Sequence, residues 1–106
     1  RLIRYLRENY HRPLTAEDLG RHMNLNPNYL ATQFKKANGQ TIVGFLMELR
    51  MARAKELLVT TDLPIARIAE AVGCEDARYF SRIFRRKEGM SPSEYFRRSL
   101  ARSHSA

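Results

Sequence analysis

Apolar residues recur at helical spacing along nearly the whole chain, and short turn signals separate the periodic stretches. Glycine and proline are few and fall between these stretches, as at Pro13, Pro64 and Gly89. The pattern predicts an all-α protein. Seven helices are expected, over about 2–10, 15–23, 27–37, 41–59, 64–73, 77–87 and 91–100, with a frayed tail over 101–106.

Helix-start signals support several of these bounds. Thr15 and Asp18 have the spacing of a capping box, in which a side chain and a backbone group cap each other across three residues, and Ser91 and Glu94 repeat it. Asn26 precedes a proline at the first helical position. The second, third and seventh helices therefore have defined starting points.

The chain contains an internal repeat. At an offset of 50 residues, Tyr29-Leu30 recurs as Tyr79-Phe80, Phe34-Lys35-Lys36 as Phe84-Arg85-Arg86, Gly39 as Gly89, Thr41 as Ser91 and Phe45 as Tyr95. Leu19-Gly20 recurs as Ile68-Ala69 at an offset of 49, so one residue has been added in the second turn. Each copy has a short helix, a tight turn and a longer helix, which is the order of a helix-turn-helix. We expect one lobe over 1–40 and another over 60–100, joined by a connecting helix over 41–59.

The second helix of each lobe, over 27–37 and 77–87, is predicted to bury one face and expose the other; we call these the reading helices. The buried faces are expected to carry Tyr29, Leu30 and Phe34, and then Tyr79, Phe80 and Phe84. The exposed faces carry Asn28, Ala31, Thr32 and Lys35, and then Ala77, Arg78, Ser81, Arg82 and Arg85. Short polar and basic groups without a carboxylate suit insertion into a major groove beside phosphates. Gly20 and Ala69 are the small residues expected where the paired helices cross.

Net charge indicates a polyanionic partner. Nineteen Lys and Arg against eleven Asp and Glu leave a formal charge of +8, with a sequence pI near 10.3. Cys74 is the only cysteine, and three scattered histidines complete no zinc signature, so no metal, cofactor or disulfide is expected. No apolar stretch approaches the ~20 residues of a membrane span, and no signal peptide opens the chain, so a cytoplasmic location is expected. A start at Arg1 rather than Met indicates a piece of a longer protein.

Helix length offers a geometric argument for two reading sites. A connecting helix of ~18 residues would be ~27 Å long. Major grooves on one face of B-DNA recur every ~34 Å, so a connector of that length plus its turns would hold two reading helices one helical turn apart.

Several runs resemble the AraC/XylS transcription regulators, across about Leu2 to Leu100. They are Arg50 through Ala54 to Leu57-Leu58, Ile65 through Ile68-Ala69 to Val72-Gly73, Tyr79-Phe80-Ser81-Arg82-Ile83-Phe84-Arg85-Arg86, and Gly89-Met90-Ser91-Pro92-Ser93-Glu94-Tyr95. The resemblance implies a bilobal fold of seven helices whose third and sixth helices enter adjacent major grooves of double-stranded DNA.

By the same resemblance, seven residues fall where the family contacts bases: Asn28, Ala31, Thr32, Ala77, Arg78, Ser81 and Arg82. Phosphate contacts are expected from Lys35, Lys36, Arg85 and Arg86. Asn24 departs from the glycine usual in the first turn, and Ala31 offers only a methyl contact, suited to thymine. The resemblance also implies a missing N-terminal region that senses a signal and often dimerises, RNA polymerase as a partner, and a monomeric fragment.

Two other classes of binding function compete with DNA recognition. A basic helical module for protein or membrane surfaces would need a continuous amphipathic helix, whereas caps interrupt the apolar stripes here. RNA binding would need an aromatic platform for unstacked bases, and none is visible. No paired carboxylates, activated nucleophile or phosphate loop indicates an enzyme.

Overall fold

The computed structural model describes residues 1–105, with side chains described through residue 102. These residues form seven α-helices and no strand: α1 Leu2–Asn9, α2 Ala16–Met23, α3 Pro27–Asn38, α4 Ile42–Thr60, α5 Ile65–Ala71, α6 Ala77–Glu88 and α7 Pro92–Ser105. The all-α prediction with seven helices is confirmed. Within residues 1–105, no helix combines the length and apolar character needed to cross a membrane.

The last helix, α7, extends to Ser105, and the frayed tail expected over 101–106 stays a prediction. Residues 101–105 continue α7, and Ala106 lies outside the described residues. No glycine or proline follows Pro92, so the backbone chemistry does not end the helix earlier. Arg98 and Glu94, one turn apart, form an ion pair at 3.2 Å that supports the helical conformation.

The first compact unit covers Arg1–Leu49. Its core draws on α1, α2, α3 and the first half of α4, through Leu2, Leu6, Leu19, Leu30, Phe34 and Leu46. Phe34 of α3 meets Phe45 of α4 edge-on, with ring centroids 5.7 Å apart. The reading helix of this unit is therefore fixed by aromatic packing against α4.

The second compact unit begins at Arg50. Its buried residues come from the second half of α4, from α5 and its C-terminus, and from α6: Met51, Ala54, Leu57, Leu58, Ile68, Ala69, Val72, Phe80 and Phe84. Phe84 meets Tyr95 of α7 edge-on, with ring centroids 5.6 Å apart, and thus repeats the Phe34–Phe45 pair. The division between units lies within α4, so each half of the expected connecting helix contributes to the core of one unit.

Candidate nucleic-acid interface

Two features shape the turn between α2 and α3: the chain passes close to Gly20, and one residue takes the left-handed conformation. A Cβ on Gly20 would lie 2.8 Å from the Leu25 carbonyl oxygen and 3.0 Å from Cγ of Pro27, so only glycine fits without a shift. Asn24 has φ 57° and ψ 44°, which reverses the chain after α2. The Leu25 N–H then donates to the Gly20 carbonyl at 2.9 Å. The expectation of a small residue at this crossing is explained by the approach of Leu25 and Pro27.

The turn between α5 and α6 repeats this geometry with one residue more. Ala69 is fully buried, Gly73 takes the left-handed conformation at φ 93°, and the Cys74 N–H donates to the Ala69 carbonyl at 2.8 Å. After that hydrogen bond, Glu75 is added before the N-cap of α6, whereas the N-cap of α3 follows Leu25 directly. The added residue inferred from the change of offset is thus located. Burial raises the pKa of the Cys74 thiol, which suits a packing role in the turn.

Both reading helices begin and end in the same way. The Asn26 side chain accepts hydrogen bonds from the N–H groups of the residues two and three positions on, and the Asp76 side chain does the same in α6. Gly39 and Gly89 end the helices in the left-handed conformation, with φ 74° and 79°. α3 and α6 therefore have the same length, 12 residues, and matched ends.

Capping elsewhere agrees in part with the sequence. Thr15 and Asp18 form the complete capping box of α2, with both hydrogen bonds at 3.0 Å. The hydrogen bond from the Thr15 N–H holds the pKa of the Asp18 carboxyl below its usual range. At α7, Ser91 Oγ accepts from the Glu94 N–H at 3.2 Å, while the Glu94 carboxylate pairs with Arg98. Of the second capping box, the structure shows the hydrogen bond from the Glu94 N–H to the serine side chain.

The exposed stripes of α3 and α6 occupy equivalent positions at an offset of 50. They comprise Asn28, Ala31, Thr32 and Lys35 in α3, and Arg78, Ser81, Arg82 and Arg85 in α6. We call them the α3 stripe and the α6 stripe. All eight residues are exposed except Ser81, which is half-buried, as is Ala77 at the start of α6. Leu30, Phe34, Phe80 and Phe84 are buried on the opposite faces, as predicted.

The prediction that Tyr29 and Tyr79 belong to the core is wrong. Tyr29 is 54% exposed and Tyr79 is 44% exposed. Each tyrosine precedes the first buried residue of its helix, Leu30 or Phe80, by one position, which rotates it about 100° around the helix axis. The position of each tyrosine on its helix, rather than its aromatic character, therefore determines its exposure.

Tyr79 has a specific neighbour on the α6 stripe. The guanidinium carbon of Arg82 lies 5.8 Å from the centroid of the Tyr79 ring, within the range of a cation–π contact. The equivalent residue to Arg82 in α3 is Thr32, whose hydroxyl donates to the Asn28 carbonyl oxygen at 3.0 Å. The Tyr79–Arg82 contact was not predicted from the sequence, although an i, i+3 spacing brings two side chains close together on one helix.

The ion pairs of the described side chains lie outside the cations of the α3 and α6 stripes. Several arginines elsewhere form ion pairs along their own helices: Arg4 with Glu8, Arg53 with Glu56 and Arg67 with Glu70. Among the described side chains, no ion pair involves any of the six cations expected to contact bases or phosphates: Lys35, Lys36, Arg78, Arg82, Arg85 and Arg86. Glu88, at the end of α6, is paired with Lys55 of α4 at 3.3 Å. Among the described side chains, these six cations are therefore outside the ion pairs that occupy other basic residues.

Comparison with known proteins gives the family. A family model described as a helix-turn-helix domain matches residues 19–98. The MmsAB operon regulatory protein of Pseudomonas aeruginosa is 36% identical over 94 residues, which are 89% of this chain and 31% of that protein. The chain belongs to the AraC-type family of helix-turn-helix transcription regulators. This AraC-type domain is also 39% identical over 98 residues to the raffinose operon transcriptional regulatory protein RafR of Pediococcus pentosaceus, covering 92% of this chain and 35% of that protein.

Solved structures agree with this membership. The C-terminal domain of AraT, a response regulator from Geobacillus stearothermophilus, superposes with a TM-score of 0.87 at 36% identity, covering 91% of this chain and 80% of that chain. The DNA-binding domain of AdpA, solved with a target DNA, has a TM-score of 0.91 over 99% of this chain and 95% of that chain, and at 23% identity it shows a shared fold. This AraC-type domain spans about a third of the length of the curated relatives it matches. The family favours DNA binding over a basic protein- or membrane-surface module.

Proposed function

We propose that α3 and α6 each enter the major groove of double-stranded DNA and read base edges there. The supporting observation is the pair of equivalent exposed stripes, free of carboxylates, on two helices of equal length with matched caps. Side chains at i, i+3, i+4 and i+7 face one way, so each stripe meets a groove as a unit. Base contacts are assigned to Asn28, Ala31 and Thr32 in α3 and to Ala77, Arg78, Ser81 and Arg82 in α6.

Phosphate contacts are assigned to the cations toward the C-terminal ends of the reading helices: Lys35, Lys36, Arg85 and Arg86. All four are exposed, and the ion pairs of the described side chains involve none of them. Neutralising phosphates with such side chains releases counterions, so affinity falls steeply with salt. These contacts supply affinity on any sequence and leave specificity to the stripes.

One chain is proposed to read two successive major grooves. The support is the presence of two copies of the same helix-turn-helix, linked through α4, which has 19 residues and a length of about 28 Å. A single polypeptide then recognises what usually takes a dimer of one-lobed proteins. This piece is expected to bind as a monomer.

The whole protein is proposed to regulate transcription in the cytoplasm, with RNA polymerase as a partner and without catalytic activity. The related MmsAB and raffinose proteins are named as operon regulators, which supports this role. A region beyond these 106 residues is proposed to sense the signal and to dimerise, because the chain covers only a third of such relatives.

The test is selection of binding sites from random duplex DNA, followed by a hydroxyl-radical footprint on the selected site. Two protected segments about one helical turn apart, on one face of the duplex, are expected. A single protected segment would limit reading to one lobe. Failure to enrich any sequence would contradict sequence-specific binding.

A further inference from the structure

The two reading helices form a matched pair that differs mainly in side chains. α3 and α6 have the same length, the same type of N-cap hydrogen bonds and the same glycine ends. At equivalent positions α3 carries Asn28, Ala31 and Thr32, and α6 carries Arg78, Ser81 and Arg82. Since the backbones are equivalent, a difference in base preference between them comes from side chains, and these six supply most of the hydrogen-bonding groups that differ.

Among these six residues, Thr32 is the one whose hydrogen bonding most restricts which bases it can contact. Its hydroxyl proton is used in the bond to the Asn28 carbonyl at 3.0 Å. A hydroxyl has one proton, so Thr32 presents only lone pairs and a methyl group to a partner. The major-groove edge of guanine offers only acceptors, N7 and O6, whereas adenine offers an amino donor and thymine a methyl. Thr32 therefore has nothing to donate to guanine and can accept from the amino group of adenine or of cytosine; an A·T pair offers it a thymine methyl as well, so A·T offers two kinds of contact and G·C one.

Asn28 and Ala31 have the same preference. A carboxamide carries one donor group and one acceptor, which match N7 and N6 of adenine in a bidentate contact. The exposed methyl of Ala31 can pack on the C5-methyl of thymine. The next cation of the α3 stripe is Lys35, two turns beyond Asn28. The base-reading part of the α3 stripe is thus free of the cationic donors that favour guanine.

The α6 stripe has the opposite chemistry. Arg78 and Arg82 carry only donors, and an arginine fork matches O6 and N7 of guanine. The adenine amino group would face these donors and be disfavoured. The ring of Tyr79 lies 5.8 Å from the guanidinium carbon of Arg82, and a guanidinium in contact with a ring through its face keeps its in-plane N–H groups free.

We infer that the operator of this domain is divided in composition: the segment under α3 consists of A·T pairs, with adenine at Asn28 and thymine at Ala31, and the segment under α6 contains guanine at Arg82. This inference rests on the proposed function, because it requires both stripes to read duplex DNA. It adds the class of base pair that each lobe accepts.

The division of the operator is tested by selecting binding sites with the wild-type domain and with two matched variants, in which one stripe receives the residues of the other. The wild-type domain should enrich one A·T segment and one segment containing guanine. Asn28→Arg combined with Thr32→Arg gives α3 the arginines of the α6 stripe, and should convert only the A·T segment to one containing guanine. Arg78→Asn combined with Arg82→Thr makes the reverse exchange, and should convert only the other segment. All four positions are exposed, and circular dichroism verifies that each variant is folded.

Thymine methyls provide a second measurement on the wild-type site. Replacing thymine by uracil in the A·T segment removes the methyl that Ala31 is inferred to contact, and should weaken binding about fourfold. Uracil placed outside the selected segments is the control and should have no effect. Changing the guanine opposite Arg82 to adenine should weaken binding about 5- to 160-fold.

The possible outcomes distinguish failure of this inference from failure of the proposed function on which it rests. Absence of any enriched sequence would overturn sequence-specific binding itself. Enriched sites with guanine in both segments, or with A·T pairs in both, would overturn the division while leaving DNA binding intact. An exchange variant that altered the segment assigned to the other lobe would overturn the assignment of segments to helices.

Discussion

Tyr79 is expected to hold Arg82 in position for base recognition. The ring centroid lies 5.8 Å from the guanidinium carbon, and the tyrosine is 44% exposed, so the contact is of the solvent-exposed type. Exposed cation–π contacts contribute about 0.5–1 kcal/mol. If Arg82 keeps this contact when it binds guanine, Tyr79→Leu should lower the preference for guanine at that position by about two- to fivefold, because 1.36 kcal/mol corresponds to a factor of ten.

Fluorescence anisotropy at constant salt measures this effect, with a selected duplex and its counterpart carrying adenine in place of the guanine. Tyr79→Phe retains the ring and should preserve the preference. Tyr29→Leu is the matched control, since Tyr29 is the equivalent exposed tyrosine and the residue three positions on is Thr32 rather than an arginine. Unchanged or tighter discrimination in Tyr79→Leu, or equal losses in the leucine and phenylalanine variants, would refute the positioning role.

Four further predictions concern affinity, specificity and stability. Arg82→Ala should weaken binding to the selected site by about 1–3 kcal/mol and barely change binding to random DNA; equal losses in a paired titration would remove it from the base contacts. Lys35→Ala should weaken binding to all sequences alike and reduce the slope of log affinity against log salt by about one unit, and an unchanged slope would exclude a phosphate contact. Asn24→Gly should raise and Asn24→Ala lower the free energy of unfolding, each by about 0.5–1 kcal/mol, because φ is 57° there; thermal unfolding by circular dichroism should show opposite shifts. Because capping lowers the pKa of Asp18, its carboxylate stabilises the fold at neutral pH and loses this effect as the pH falls through that pKa, so acidification should destabilise the wild type more than Asp18→Asn in urea titrations.

Much of the fold could be predicted because local chemistry agrees with the final packing. Asn26 and Asp76 cap the reading helices through their own side chains, and Gly39 and Gly89 end them, so both bounds are encoded within a few residues of sequence. The burial of Phe34 and Phe84 followed from helical periodicity.

The exposure of the two tyrosines and the division of α4 between two units were not predicted. Tyr79 lies one position before a buried phenylalanine, and this register matters more for burial than its aromatic ring. The division of α4 between two cores could not be predicted, because apolar residues along one continuous helix do not reveal which unit each one packs against.

The exposed residues of the candidate site could be predicted from the sequence, whereas the contacts between their side chains could not. The exposure of the α3 and α6 stripes follows from the buried positions on the opposite face. The hydrogen bond from Thr32 to the Asn28 carbonyl depends on one rotamer, and the approach of Arg82 to Tyr79 depends on two flexible side chains. Sequence spacing brings these side chains within reach of one another but specifies neither rotamer, and the proposed recognition of base edges depends on both contacts.

The most direct test of the account is an NMR titration of the isotopically labelled domain with its selected duplex. The largest changes in amide chemical shift are expected within 27–36 and 77–86, at the residues of the two stripes and their immediate neighbours. Changes concentrated in 2–9 and 92–102, with both stripes unaffected, would contradict the claim that α3 and α6 are the surfaces that meet DNA.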